Sequence, residues 1–134
     1  MPYESSWSES IVVKRFWGFV TAPEFIKSVE QVAADDRYDE LHFIVNDLID
    51  MEGFSVHAAD IDYVTAIHFG GVQSNHHLCI VLITTDDMLL KLADKISRDV
   101  YKRPHQIQVF PTRDVARCWL LTHSVLEKFS GLEN

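Results

Sequence analysis

A short alternating strand that runs straight into a capped amphipathic helix constrains this chain more than any other feature. Gln106-Ile107-Gln108-Val109-Phe110 alternates, Pro111 follows, and Thr112 stands where a helix N-cap belongs. The helix after it carries Val115, Ala116, Trp119 and Leu120 on one face. The same strand-then-helix unit recurs upstream, and repeated units of that kind must bury a helix stripe against a sheet, which makes the chain a small α/β sandwich.

Tyr3–Trp7 is weakly strand-like, Ser8-Glu9-Ser10 forms a turn, and Ile11–Val20 is rich in β-branched and aromatic residues, so the two runs pair as a hairpin. Thr21-Ala22-Pro23-Glu24 has the spacing of a capping box with proline in the first turn, and Phe25, Ile26, Val29, Val32 and Ala33 follow at helical spacing. Leu41–Val45 is a nearly continuous apolar run suited to burial on both faces, and Asn46–Phe54 after it is the least regular stretch. Ser55 is placed to cap a second helix carrying Val56, Ala59, Tyr63, Val64 and Ile67 and closed by Gly70-Gly71. Leu78–Ile83 is another unbroken apolar strand. Thr84-Thr85-Asp86-Asp87 then starts a third helix with Leu89, Leu92, Ala93, Ile96 and Val100 inward. The predicted order is β-β-α-β-α-β-α-β-α: a five-stranded mixed sheet with four helices, a largely parallel core and the hairpin as its antiparallel edge. Residues 1–134 read as one domain, with about 122–134 a weakly helical or fraying tail.

Charge and composition exclude several functions. Twenty acidic against twelve basic residues give a net charge of −8, which opposes nucleic-acid binding, because phosphate affinity needs clustered Lys and Arg. The cluster Lys102-Arg103-Pro104-His105 reads as a helix C-terminus. Cys79 and Cys118 read as small buried hydrophobes rather than a disulfide pair. The N-terminus lacks a basic then apolar signal pattern, and no run reaches the ~18 apolar residues of a membrane span, so a cytoplasmic, non-spanning protein is expected.

With its elements laid out, the chain resembles the SpoIIAA-like group of the STAS fold, relatives of bacterial anti-sigma-factor antagonists. The resemblance rests on Phe19-Val20-Thr21-Ala22-Pro23-Glu24-Phe25, on Phe43-Ile44-Val45-Asn46-Asp47-Leu48 and on the closing Val109–Leu120, and it spans roughly residues 3–121. It implies a STAS/SpoIIAA-like sandwich acting as a non-enzymatic regulatory domain through a protein partner. Antagonists of that group carry Asp-Ser-(Ser/Thr)-Gly at the start of the second helix, with a phosphorylated serine. Here the region reads Asp50-Met51-Glu52-Gly53-Phe54-Ser55-Val56, so Ser55 lies near that place without the flanking Asp and Gly. The resemblance therefore implies Ser55 as a phosphorylation or partner-contact residue, whereas the residues alone make it a helix cap.

Catalysis finds no support. No Gly-x-Ser-x-Gly elbow or phosphate loop is present, and Gly70-Gly71 ends a helix in this reading rather than beginning one. Seven histidines lack ligand spacing: His57 and His68 stand about three turns apart, and His76-His77 are adjacent in a loop, so no metal and no cofactor is expected. Ligands of open α/β sheets settle at the carboxyl ends of the parallel strands. Those ends present Asn46, Asp47 and Asp50, then Thr84, Thr85 and Asp86, then Thr112 and Arg113. The Thr and Asp residues serve as helix caps, or the rim contacts a protein partner or small anion with Arg113 supplying charge. An apolar-ligand or lipid-binding module is the alternative, with Trp17, Phe54 and Trp119 lining a cleft. A homodimer stays open.

Overall fold

The computed structural model describes residues 3–55, 57–99 and 106–123. Strands β1 (Tyr3–Ser8) and β2 (Ile11–Thr21) form an antiparallel hairpin whose turn places Glu9 at a left-handed φ of 48°. Helix α1 (Ala22–Ala33), strand β3 (Phe43–Ser55), helix α2 (Ala58–Ser74), strand β4 (Cys79–Ile83), helix α3 (Asp87–Asp99), strand β5 (Ile107–Phe110) and helix α4 (Arg113–His123) complete the order. The sheet runs β1-β2-β3-β4-β5, with β2 through β5 parallel. This is the expected five-stranded mixed sheet with four helices, among the described residues. Val56, Val100, the 102–105 cluster and most of the 122–134 tail lie outside them.

Three crossovers step the same way across the sheet, so a constant hand puts α1, α2 and α3 on one face. There Val12, Phe16, Val20, Ile44, Ile80, Leu82 and Ile107 meet Phe25, Val29, Val32, Val64, Leu89, Leu92 and Ile96. The opposite face, with Ile11, Val13, Phe43, Val45, Val81 and Ile83, is covered by Ala116 and Leu120 of α4, with Trp119 packed against it.

Local chemistry sets the boundaries. Thr21 and Glu24 form the expected capping box, with the Glu24 carboxylate accepting from the Thr21 amide at 2.9 Å. Asp86 caps α3, accepting from the Met88 and Leu89 amides at 3.0 and 3.1 Å. Thr112 caps α4 by accepting from the Val115 amide at 3.2 Å.

Five expectations need correction. β3 does not end at Val45: it continues to Ser55, because β2, itself 11 residues long, pairs with it through two register shifts. Ser55 therefore ends a strand, paired with Thr21, and α2 starts at Ala58, where the Asp60 carboxylate accepts from the His57 amide at 2.9 Å. Gly70 and Gly71 lie inside α2, which stops at Asn75. Ala59 and Tyr63 are exposed, Tyr63 donating to Glu30 at 2.8 Å, because α2 buries only a narrow stripe around Val64. On α4, Val115 and Cys118 are exposed too, since this helix has no helical neighbour and only Ala116, Trp119 and Leu120 meet the sheet.

Candidate functional site

Past Asp47, which stands opposite Ile83, β3 has no further pairing with β4 and is held by β2 alone among the described residues. One edge of its last eight residues consequently faces a cleft of about 210 Å³, bounded by Leu48, Ile49, Met51, Glu52 and Gly53 on β3 and by Thr84, Thr85 and Asp86 beyond β4. Ile49 on its wall is exposed, and so are Trp17 and Phe19 on the neighbouring β2, Phe19 at 61%. Gly53 lets the Phe19 ring lie on the β3 backbone, where a Cβ would meet that ring at 2.7 Å.

An ion network ties the same rim together. Arg113 donates from Nε to Asp47 at 2.7 Å and from Nη2 to Asp50 at 2.7 Å, and Arg15 reaches Asp50 at 2.8 Å. Bonds from Arg15 and Arg113 hold the Asp50 carboxyl below its ordinary range, and Asp47 keeps Arg113 firmly cationic. Arg113 is thus already engaged by two carboxylates. Of the other rim residues, Thr84 is buried and accepts from the Asp86 amide at 3.0 Å, whereas Thr85, Asp86 and Thr112 are exposed. Ser55 is half-buried at the far end of the β3 edge.

Asn46 leaves the rim altogether. Successive strand residues point to opposite faces, so Asp47 turns to α4 while Asn46 turns under the three-helix layer. There it lines a cavity of about 40 Å³ with Lys14, His68 and a wall of apolar side chains that includes Phe25, Val64, Ile80 and Leu82. Lys14 is 2% exposed. Its Nζ donates to Ser28 Oγ at 3.2 Å and stands 5.9 and 5.7 Å from the Phe16 and Phe25 ring centres, with no carboxylate in reach among the described residues. Burial pushes this amine down to about 7. The Asn46 amide nitrogen donates at 3.5 Å to the Val81 carbonyl, and its Oδ1 has no partner among the described residues. His68 Nδ1 lies 2.9 Å from the Val64 carbonyl, and burial brings the ring down to about 4, so it is neutral at pH 7 with its proton on Nδ1.

The three aromatics expected to line one cleft do not converge. Phe54 packs edge-on to Phe25 on the helix side, Trp17 is exposed, and Trp119 lies on the opposite face between Phe43, Phe110 and His123. Cys79, beside Trp119, is buried and its thiol is pushed up to about 12, which disqualifies it as a nucleophile at neutral pH. Sequence reasoning missed Lys14. Its signal was there: Val12, Lys14 and Phe16 alternate onto one face of a β-branched strand, so a lysine stands on a helix-covered surface.

No family model and no curated protein matches the chain. Solved structures do. The anti-sigma factor antagonist SpoIIAA in its unphosphorylated form superposes with a TM-score of 0.59 at 8% identity, covering 88% of this chain and 96% of that one. The phosphorylated Bacillus cell fate determinant SpoIIAA gives 0.52 at 8% identity over 87% and 98%. A DUF3478-family protein with a SpoIIAA-like fold from Shewanella loihica gives 0.50 at 16% identity over 88% and 91%. The fold is therefore SpoIIAA-like, as the resemblance implied.

Proposed function

We propose that the chain is a non-enzymatic regulatory domain that works by protein–protein contact, and that its partner supplies an extended segment along the open edge of β3. The observation that carries this reading is the loss of pairing after Asp47 among the described residues, which leaves main-chain groups of β3 beside a cleft with Leu48, Ile49 and Met51 on one wall and Thr84, Thr85 and Asp86 on the other. An unpaired edge is a template for another strand, with side-chain pockets selecting the sequence. Charge narrows the partner. Asp47 and Asp50 are neutralised by Arg113 and Arg15, Glu52 and Asp86 stay on the cleft wall, and the chain carries −8, so a segment with basic residues flanking apolar ones fits best. The SpoIIAA structures, one of them described as an anti-sigma factor antagonist, support a regulatory reading by fold alone.

Ser55 acts unmodified in this reading, since it lacks the flanking Asp and Gly of the phosphorylated motif and precedes α2 rather than capping it. Binding is then constitutive. Affinity capture with wild type, Phe19→Lys, Ile49→Lys, Leu121→Lys, Ser55→Ala and Ser55→Asp tests this, because the first three changed side chains are exposed and tolerate charge. The expected result is one protein retained by wild type, Leu121→Lys and both Ser55 variants and lost from Phe19→Lys and Ile49→Lys. Equal recovery by the two rim variants would move the interface elsewhere, and loss with Ser55→Asp alone would restore the switch.

A further inference from the structure

The cavity beneath α1 and α2 is independent of the rim: it lies on the other face of β3 and involves neither the ion network nor the open edge. Its polar groups are unusual for an interior. Buried cations are ordinarily paired and buried polar atoms bonded. Here, among the described residues, Lys14 uses one donor on Ser28 and meets no carboxylate, while Asn46 Oδ1 is buried without a partner. The two residues stand opposite each other in the β2–β3 register, so a donor and an acceptor line the same small space.

We infer that this cavity binds a small uncharged molecule with a planar head carrying an acceptor and a donor side by side, a primary amide or a protonated carboxyl group bearing no more than a methyl group. The head's carbonyl oxygen accepts from Lys14 Nζ and its N–H or O–H donates to Asn46 Oδ1. Size agrees: a water needs about 10–15 Å³ of such space, so the 40 Å³ here admits a group of about three non-hydrogen atoms. The unpaired acceptor sets the uncharged head apart. A carboxylate could pair with Lys14 but would set its second oxygen against Asn46 Oδ1, and an alkylammonium would face Lys14. The walls suit a methyl group at most, with Val29, Val64, Ile80 and Leu82 around the space. His68, its Nδ1 proton committed to Val64, adds a neutral ring to the lining.

Backbone-resolved NMR titration of the full chain with acetamide, sodium acetate and methylammonium chloride at pH 7.5 tests the inference, with Lys14→Met and Asn46→Leu as variants. Both replacements exchange a buried polar group for an apolar one of similar size, which interiors tolerate. The expected result is saturable shifts with acetamide confined to residues around the cavity, at least fivefold weaker response to the two charged analogues, and at least fivefold loss in each variant. If Lys14→Met fails to fold, Asn46→Leu carries the comparison. Absence of saturable shifts with acetamide, tighter binding of acetate, or undiminished binding by Asn46→Leu would each overturn it. So would a crystal structure from acetamide-soaked crystals in which ordered water alone bridges Lys14 and Asn46.

Discussion

Lys14 and Asn46 stand opposite one another in the parallel pairing of β2 and β3, and both side chains turn under the three-helix layer, 2% and 4% exposed. Among the described residues, the groups around the Lys14 amine are Phe16 on its own strand, Phe25 and Ser28 of α1, Asn46 of β3, His68 of α2 and, lining the same cavity, Tyr38, none of them an anion at neutral pH.

Stability should therefore rise with pH on the alkaline side. The folded Lys14 amine titrates at about 7 against an ordinary 10.5, so between those values the unfolded chain binds more protons and folding gains as pH increases. Below about 7 both states are protonated and this contribution sits at its minimum. The slope reaches at most ~1.4 kcal/mol per pH unit. Urea unfolding at pH 6.5–10 should show the rise in wild type and a flatter profile in Lys14→Met, which should be more stable by ~1–4 kcal/mol at pH 7. Parallel profiles would show that the amine is not buried as described.

Arg113→Ala should destabilise more than Arg15→Ala. Removing Arg113 leaves Asp47, whose side chain is 2% exposed, without its ion pair, at a cost of about 2–4 kcal/mol. Arg15 pairs with the more exposed Asp50, where exposed pairs are worth under about 1 kcal/mol. Asp50 sits below its ordinary value of 3.8, so its share is present above that pH and lost as pH falls through its folded value. Denaturant midpoints of the two variants at pH 7 and pH 3 check both statements.

The glycines of α2 should respond in opposite directions. Nothing lies within 4 Å of a Cβ at Gly70, so Gly70→Ala should stabilise by about 0.5–1 kcal/mol through helix propensity. A Cβ at Gly71 would run into the Tyr38 hydroxyl, so Gly71→Ala should destabilise, and Tyr38→Phe should relieve part of the loss. Thermal melts of the single and double variants read this directly.

Trp119→Ala should cost about 2–3 kcal/mol, less than a fully buried tryptophan, because the ring is half-buried against Phe43 and Phe110 and stacks on the exposed His123 at 4.4 Å. A loss below about 0.5 kcal/mol would mean that α4 contributes little to covering that face.

Caps and apolar runs were legible because they are local. Thr21, Asp86 and Thr112 meet amides two or three residues away, and the runs around Ile44 and Val81 need burial wherever they go. The stretch from Asn46 to Phe54 was not, because its strand character comes from β2, more than thirty residues earlier, and no local signal reports that pairing. The same non-locality misplaced Ser55 as a cap and Asn46 on the rim.

From the sequence by itself follow the element order, the mixed sheet and the α/β class, since periodicity and capping act within a few residues. Tertiary structure alone decided that Arg113 is occupied by Asp47 and Asp50, that β3 outruns β4 to leave an open edge, and that Lys14 and Asn46 share a cavity. Each of these depends on strand register, and register is set by pairing between segments far apart in the chain, where a shift of one residue sends every side chain to the other face.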